Sequence, residues 1–156
     1  MNGWALPELL AVIGPRQPRR GRIVLTNGCF DLLHAGHVRF LRRARALGDA
    51  LVVAVNGDAS VRRLKGPHRP IQSQADRVEI LAALEMVDYV TLFDEPDPWP
   101  VVEQIRPQVL VKGADWGGYI IGRDIVEADG GSVVSLPLEG GRSTTALVEG
   151  ILKSFS

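Results

Sequence analysis

The chain has 156 residues, 46% of them hydrophobic, with 18 basic side chains balanced by 18 acidic ones. That length and apolar content fit one globular domain with a sizeable core, and the neutral balance supplies no general electrostatic reason to bind nucleic acid. One cysteine excludes an internal disulfide and suits a reducing cytoplasm, no apolar stretch reaches membrane-spanning length, and Pro7 and Glu8 interrupt the apolar start, so neither a signal peptide nor a membrane partner is expected.

Residues 1–13 read as a short amphipathic helix with Pro7 in its first turn, and 14–21, with Arg16, Arg19 and Arg20, as an exposed basic linker. A first strand is expected at 22–26. After a turn, Val38, Leu41, Ala44 and Leu47 recur at helical spacing, which leaves Arg39, Arg42, Arg43 and Arg45 facing solvent. Residues 51–55 are apolar without alternation, as a strand covered on both faces requires, so the sheet is parallel with helices on either side.

Asn56-Gly57-Asp58 closes that second strand and leads into a polar helix with Arg62, Arg63 and Lys65. A loop follows over 66–70, then a helix from Ser73 to about Glu85 and a third strand over 88–92. Pro96, Pro98 and Pro100 cannot sit in a ladder, so this stretch is a loop from which Pro100 opens a helix to Ile105. A fourth strand over 109–111, a helix over 121–129 stopped by Gly130-Gly131, and a fifth strand over 133–136 complete the sheet. The last helix follows Gly140–Thr145, with Leu147, Val148, Ile151 and Leu152 on its buried face. The whole is a Rossmann-like α/β domain over 1–156, an open five-stranded parallel sheet with an N-terminal helix and linker over 1–21 and a catalytic core over 22–153.

The turn after the first strand carries the chemistry. Thr26-Asn27-Gly28-Cys29-Phe30-Asp31-Leu32-Leu33-His34-Ala35-Gly36-His37 lies at the carboxyl edge of a parallel sheet, where ligands bind. Two imidazoles at a helix start are neighbours on one side, beside N–H groups at the positive end of the helix dipole, and Gly36 lets a ligand approach the backbone. A phosphate chain suits such a place, although neither Gly-x-Gly-x-x-Gly nor the P-loop pattern is present. Two other readings stand beside it: the histidines cap the helix, or they bind zinc, for which His68 and Cys29 alone do not complete a tetrahedral set. Cys29 fits a small residue under a nucleotide, since phosphate attacking phosphorus needs no protein nucleophile. At the far end of the chain, three successive hydroxyls, Ser143, Thr144 and Thr145, exceed the single cap a helix needs, and with Arg142 they make a second phosphate position.

The segment 26–37 resembles the T-x-G-x-F-D-x-x-H-x-G-H signature of the cytidylyltransferase-like nucleotidyltransferases, related to the HIGH motif of class I aminoacyl-tRNA synthetases. The resemblance implies attack by a substrate phosphate on the α-phosphorus of a nucleoside triphosphate carried with Mg2+, with pyrophosphate leaving. It implies that His34, His37 and Lys112 are catalytic. Nucleotide contacts then fall to Asn27, Gly28, Cys29, Phe30, Gly36, Gly113, Asp115, Arg142, Ser143, Thr144 and Thr145. Acceptor contacts fall to Asp31, Asp58, Lys65 and Arg77, with Arg77 facing the acceptor's phosphate and a mobile Lys65 closing on bound substrate; Arg69 is the weaker candidate.

Val111-Lys112-Gly113-x-Asp115, Arg69-Pro70 and the Glu139–Thr145 ending are most similar to the D-glycero-D-manno-heptose 1-phosphate adenylyltransferase branch. That branch implies ATP and a sugar 1-phosphate as substrates, a homodimer, and, since the kinase domain often fused to it is not among these residues, a separate sugar kinase. A glycerol-3-phosphate-type cytidylyltransferase and a non-catalytic nucleotide-binding regulator remain the alternatives. A class I synthetase fragment would need a KMSKS-like loop, and none is visible.

Overall fold

A computed structural model describes residues 3–15, 21–114, 118–137 and 143–156. Twelve elements follow one another: α1 (Leu6–Ile13), β1 (Ile23–Gly28), α2 (Ala35–Arg45), β2 (Ala50–Asn56), α3 (Asp58–Lys65), α4 (Gln74–Ala82), β3 (Tyr89–Phe93), α5 (Trp99–Ile105), β4 (Val109–Gly113), α6 (Arg123–Ala128), β5 (Ser132–Leu136) and α7 (Thr144–Ser154). The strands form one parallel sheet in the order β3-β2-β1-β4-β5. The order reverses between β1 and β4, and the crevice at that switch point is where an open α/β sheet receives its ligand.

The apolar run in β2 is covered on both faces because successive side chains point opposite ways. Leu51, Val53 and Val55 join Phe40, Leu41, Val78 and Leu81 on the α2/α4 side, while Val52 and Ala54 join Leu9, Val101, Ile105 and Val126 on the α1/α5/α6 side. The strands run further than expected: β1 ends at Gly28 and β4 at Gly113, so the motif's first residues, Thr26 to Gly28, lie in β1, and Lys112 stands at a strand end as expected. Register pairing of Asn27 with Ala54 and Gly28 with Val55 fixes the motif's first residues to the sheet.

Two expectations fail. Helix α7 has no buried residue: Ile151 and Leu152 are 54% and 65% exposed, so the apolar stripe read as a core face lies open in the monomer. Of the α2 arginines, Arg39 and Arg42 do face solvent, but Arg45 pairs with Asp88 at 2.9 Å and Arg43 donates to the Pro137 carbonyl, so these two stitch the helix to β3 and to the end of β5. Among the described residues no helix is long and apolar enough to cross a membrane.

Candidate active site

A cleft of about 690 Å³ opens at the carboxyl edge of the sheet. Its wall draws on four strand ends: Asn27 to Asp31 and His37 after β1, Asn56 with Lys65 and Arg69 after β2, Pro96 to Pro98 after β3, and Lys112, Gly113 and Ile121 around β4. Thr144, from the start of α7, lines the same cleft, and its Oγ1 donates to the Leu32 carbonyl at 3.1 Å. Residues 112 positions apart in sequence are thereby brought to one place.

The turn after β1 reaches this geometry through Phe30, whose φ of 47° is a left-handed conformation uncommon for a bulky side chain. Its ring lies against Gly28, where a Cβ would stand 3.0 Å from Cε2, and 5.5 Å from the His37 ring. The glycine at 28 therefore makes room for Phe30 itself.

His34 and His37 perform two tasks at once. His34 is the N-cap of α2: its Nδ1 accepts from Gly36 N at 3.1 Å, while the His37 Nδ1 accepts from His34 N at 3.3 Å, a capping box built from two imidazoles. Accepting at Nδ1 puts the proton of each neutral ring on Nε2. Of the N–H groups at this helix start, those of Gly36 and of the N-cap His34 are thus taken by the rings and do not meet an anion directly. The rings lie 4.0 Å apart, and burial, with the neighbouring His34, pulls the His37 pKa down to about 4, so it is neutral at pH 7.

Lys112 is pushed down to about 8 by burial, with Cys29 opposing that shift. Burial raises the Cys29 thiol above its ordinary value against the nearby charges of Lys65, Arg77 and Arg69, so the thiol stays protonated at pH 7 and is a poor nucleophile. The Asn27 Oδ1 is buried without a hydrogen-bond partner among the described residues, an acceptor held in the cleft wall.

The remaining residues named from sequence divide. Lys65 and Gly113 line the cleft; Gly36 is buried in the first turn of α2; Ser143 caps α7 by accepting from Ala146 N; Thr145 is exposed on its first turn. Asp115 and Arg142 lie outside the described residues. Arg77 does not face the cleft. It is buried, donating to the carbonyls of Cys29 and Asn56 at 2.7 Å each, to Gln72 O and to Asp58 Oδ1, because the β1 and β2 ends carry carbonyls that no strand neighbour satisfies. Asp58 is correspondingly Arg77's partner and does not line the cleft. Asp31 is buried as well, its carboxylate taken by Arg69 and the backbone of Ile71 and Gln72.

Sequence reasoning undervalued Arg69 and passed over Phe40, Leu64, Asp97 and Ile121, which line the cleft. The Gly66-Pro67 break before Arg69 was the available signal; the others carry none, since their role depends on which loop folds over which strand end.

A family model described as Cytidylyltransferase-like matches residues 25–129. The Bifunctional protein HldE of Geobacter sulfurreducens is 49% identical over 151 residues, and those of Syntrophotalea carbinolica and Pseudomonas putida are 52% and 53% identical over 152 and 150 residues. Each alignment covers 96% of this chain, which spans about a third of the length of these curated relatives, 31%, 31% and 32% respectively. Among solved structures, the lipopolysaccharide core biosynthesis protein from Thermoplasma volcanium GSS1 matches with a TM-score of 0.65 at 28% identity, covering 79% of this chain and 100% of that one. Pantoate-beta-alanine ligase from Francisella tularensis, with a TM-score of 0.61 at 14% identity over 90% of this chain and 67% of its own, shares the fold.

Proposed function

The chain belongs to the cytidylyltransferase-like family and is a nucleotidyltransferase, and from that premise we propose that it transfers AMP from ATP to D-glycero-D-manno-heptose 1-phosphate, giving ADP-heptose and pyrophosphate. An oxygen of the sugar phosphate forms the new bond to the α-phosphorus, the bond from that phosphorus to the α–β bridging oxygen breaks, and pyrophosphate departs with the electron pair. Support for the heptose comes from identity near half to relatives named HldE and from the neighbour described as a lipopolysaccharide core biosynthesis protein. In this reading a sugar kinase supplies the acceptor, the reaction runs in the cytoplasm, and the working unit is a homodimer.

One observation carries the reading: His37, Lys112 and Thr144, from three separate strand ends, line one cleft. In this reading the two Nε2–H groups donate to phosphate oxygens whose charge shifts during transfer, Lys112 adds a point charge at the β4 end, and the start of α7 with Arg142 grips the β/γ phosphates. Asn27, Cys29, Phe30 and Gly113 border the nucleoside. In this reading magnesium enters as the counter-ion of ATP, part of the substrate.

The test is pyrophosphate release across ATP, CTP and GTP with a panel of sugar phosphates. ATP with heptose 1-phosphate gives the fastest turnover. His34→Ala and His37→Ala each lose about 10²–10³ in kcat while remaining folded. Preference for CTP would make the protein a cytidylyltransferase, no pyrophosphate with any pair would leave a nucleotide-binding regulator, and near-normal turnover in the double variant would reject the histidines.

A further inference from the structure

Asp31 and Arg69 form a unit that the transfer scheme above leaves unused. The Asp31 carboxylate, 1% exposed, accepts from Arg69 Nε at 2.7 Å, from Gln72 N at 2.9 Å and from Ile71 N at 2.9 and 3.0 Å through its two oxygens. Gln72 returns a hydrogen bond from its side-chain amide to the Asp31 carbonyl, and Arg69 N donates to Gly66 O, so the 66–72 loop is stitched to the turn after β1. Burial opposes ionisation of Asp31, yet the backbone N–H donors and the guanidinium outweigh it and hold the carboxyl below its ordinary range, so the tether is charged at pH 7.

Arg69 spends only its Nε on this tether. Its side chain is 19% exposed, it lines the cleft, and its two Nη groups take no partner among the described residues. The four Nη N–H donors, which no protein oxygen among the described residues takes, face the cleft's solvent, and the planar fork matches two phosphate oxygens at once. Arg77 differs, because each of its three nitrogens is already donating to protein oxygen.

Position decides which phosphate. Arg69 is reached after β2 and α3, on the β2 side of the His37 turn, with Lys65 beside the same cleft. Lys112 and Gly113 end β4, and Thr144 follows β5, on the other side of β1. A triphosphate lying on the β4/β5 side leaves the β2 side for the second substrate.

We propose that Arg69, aimed by the buried carboxylate of Asp31, is the bidentate contact for the acceptor's phosphate. The assignment rests on the transferase reading for the word acceptor, and on the cleft geometry alone for the phosphate. Arg69 is a binding residue and Asp31 its positioning residue.

The experiment is calorimetric binding of inorganic phosphate, a sugar 1-phosphate and ATP, each separately, to the full chain and to Arg69→Gln and Arg69→Lys, with KM for each substrate from pyrophosphate release. Arg69→Gln weakens inorganic phosphate and the sugar 1-phosphate by about tenfold or more, Arg69→Lys by less because charge survives without the fork, and ATP affinity hardly moves; both variants lower the melting midpoint because the buried Asp31 carboxylate loses its guanidinium, so binding is read on protein that circular dichroism shows to be folded. Asp31→Asn raises the acceptor KM and leaves the ATP KM alone. Equal phosphate affinity in the parent and Arg69→Gln proteins, or a loss that falls on ATP, overturns the assignment. If no sugar phosphate supports pyrophosphate release by the parent protein, the transferase reading fails, and the phosphate-binding arm still decides whether Arg69 is an anion contact.

Discussion

Replacing Arg77 by methionine separates its structural task from the phosphate contact that its place in the sequence suggests. Its side chain is 0% exposed and donates to Cys29 O and Asn56 O at 2.7 Å, Asp58 Oδ1 at 2.8 Å and Gln72 O at 3.2 Å, tying the ends of β1 and β2 to the loop before α4. Methionine fills much of the stem's volume and leaves those oxygens without a donor. Charged hydrogen bonds contribute about 1.5–3 kcal/mol each, but the lost guanidinium no longer needs desolvating, so the net cost is roughly 3–5 kcal/mol. Asp58, 29% exposed, recovers water and adds least to that sum. For a domain of this size about 4 kcal/mol lowers the melting midpoint by roughly 8–16 °C. Thermal unfolding followed by circular dichroism, with urea titration at 25 °C, reads the loss directly, and Asp58→Asn serves as the control with a change of about 1 kcal/mol or less. A methionine variant that melts within about 2 °C of the parent while its acceptor KM rises steeply would refute the structural assignment.

The His37 imidazole titrates near 4 in the free protein and moves upward when ATP binds, because added negative charge favours the imidazolium; proton NMR of the ring follows both values. Its folded pKa lies below the unfolded 6.5, so the unfolded chain takes up the proton first: the contribution is intact above pH 6.5 and is lost as pH falls toward 4, at most roughly 3 kcal/mol, and His37→Gln flattens that part of the pH–stability curve. Lys112 loses its charge as pH rises through about 8, so kcat/KM for ATP falls on the alkaline side, and Lys112→Arg, which stays charged, abolishes that fall even if its absolute rate is lower. Two glycine variants should differ in sign. A Cβ at Gly131 meets the Gln108 carbonyl at 2.6 Å and Val126 at 2.8 Å, so Gly131→Ala costs about 1–3 kcal/mol. Gly150 in α7 has nothing within 4 Å, and Gly150→Ala gains about 0.5–1 kcal/mol in urea titrations.

Local chemistry made much of the architecture legible. The unbroken apolar run at 51–55 demanded two-sided burial and hence a parallel sheet, and Leu51–Val55 are all buried. Ser73 and Ser143 cap α4 and α7 because a hydroxyl before a helix satisfies a first-turn N–H wherever it occurs. The turn at 26–37 was legible as a wall of the cleft for the same reason, its residues being neighbours in the chain. Helix α7 shows the limit. Leu147, Val148, Ile151 and Leu152 have the spacing of a core face, and spacing records which side of a helix is apolar without recording whether anything covers it.

By itself, then, the sequence determined what depends on neighbours within a turn or a strand: the helix caps, the strand periodicity, and the two histidines that share the start of α2. Only the tertiary structure decided how the cations divide their labour. Arg69 and Arg77 sit eight residues apart, with the same charge and reach. What distinguishes them is which strand-end carbonyls and which buried carboxylate fold alongside: Arg77 meets the unsatisfied ends of β1 and β2 and is consumed, whereas Arg69 meets Asp31 through one nitrogen and keeps its fork in the cleft. Partners 21 to 48 residues away set those fates, and no local pattern encodes them.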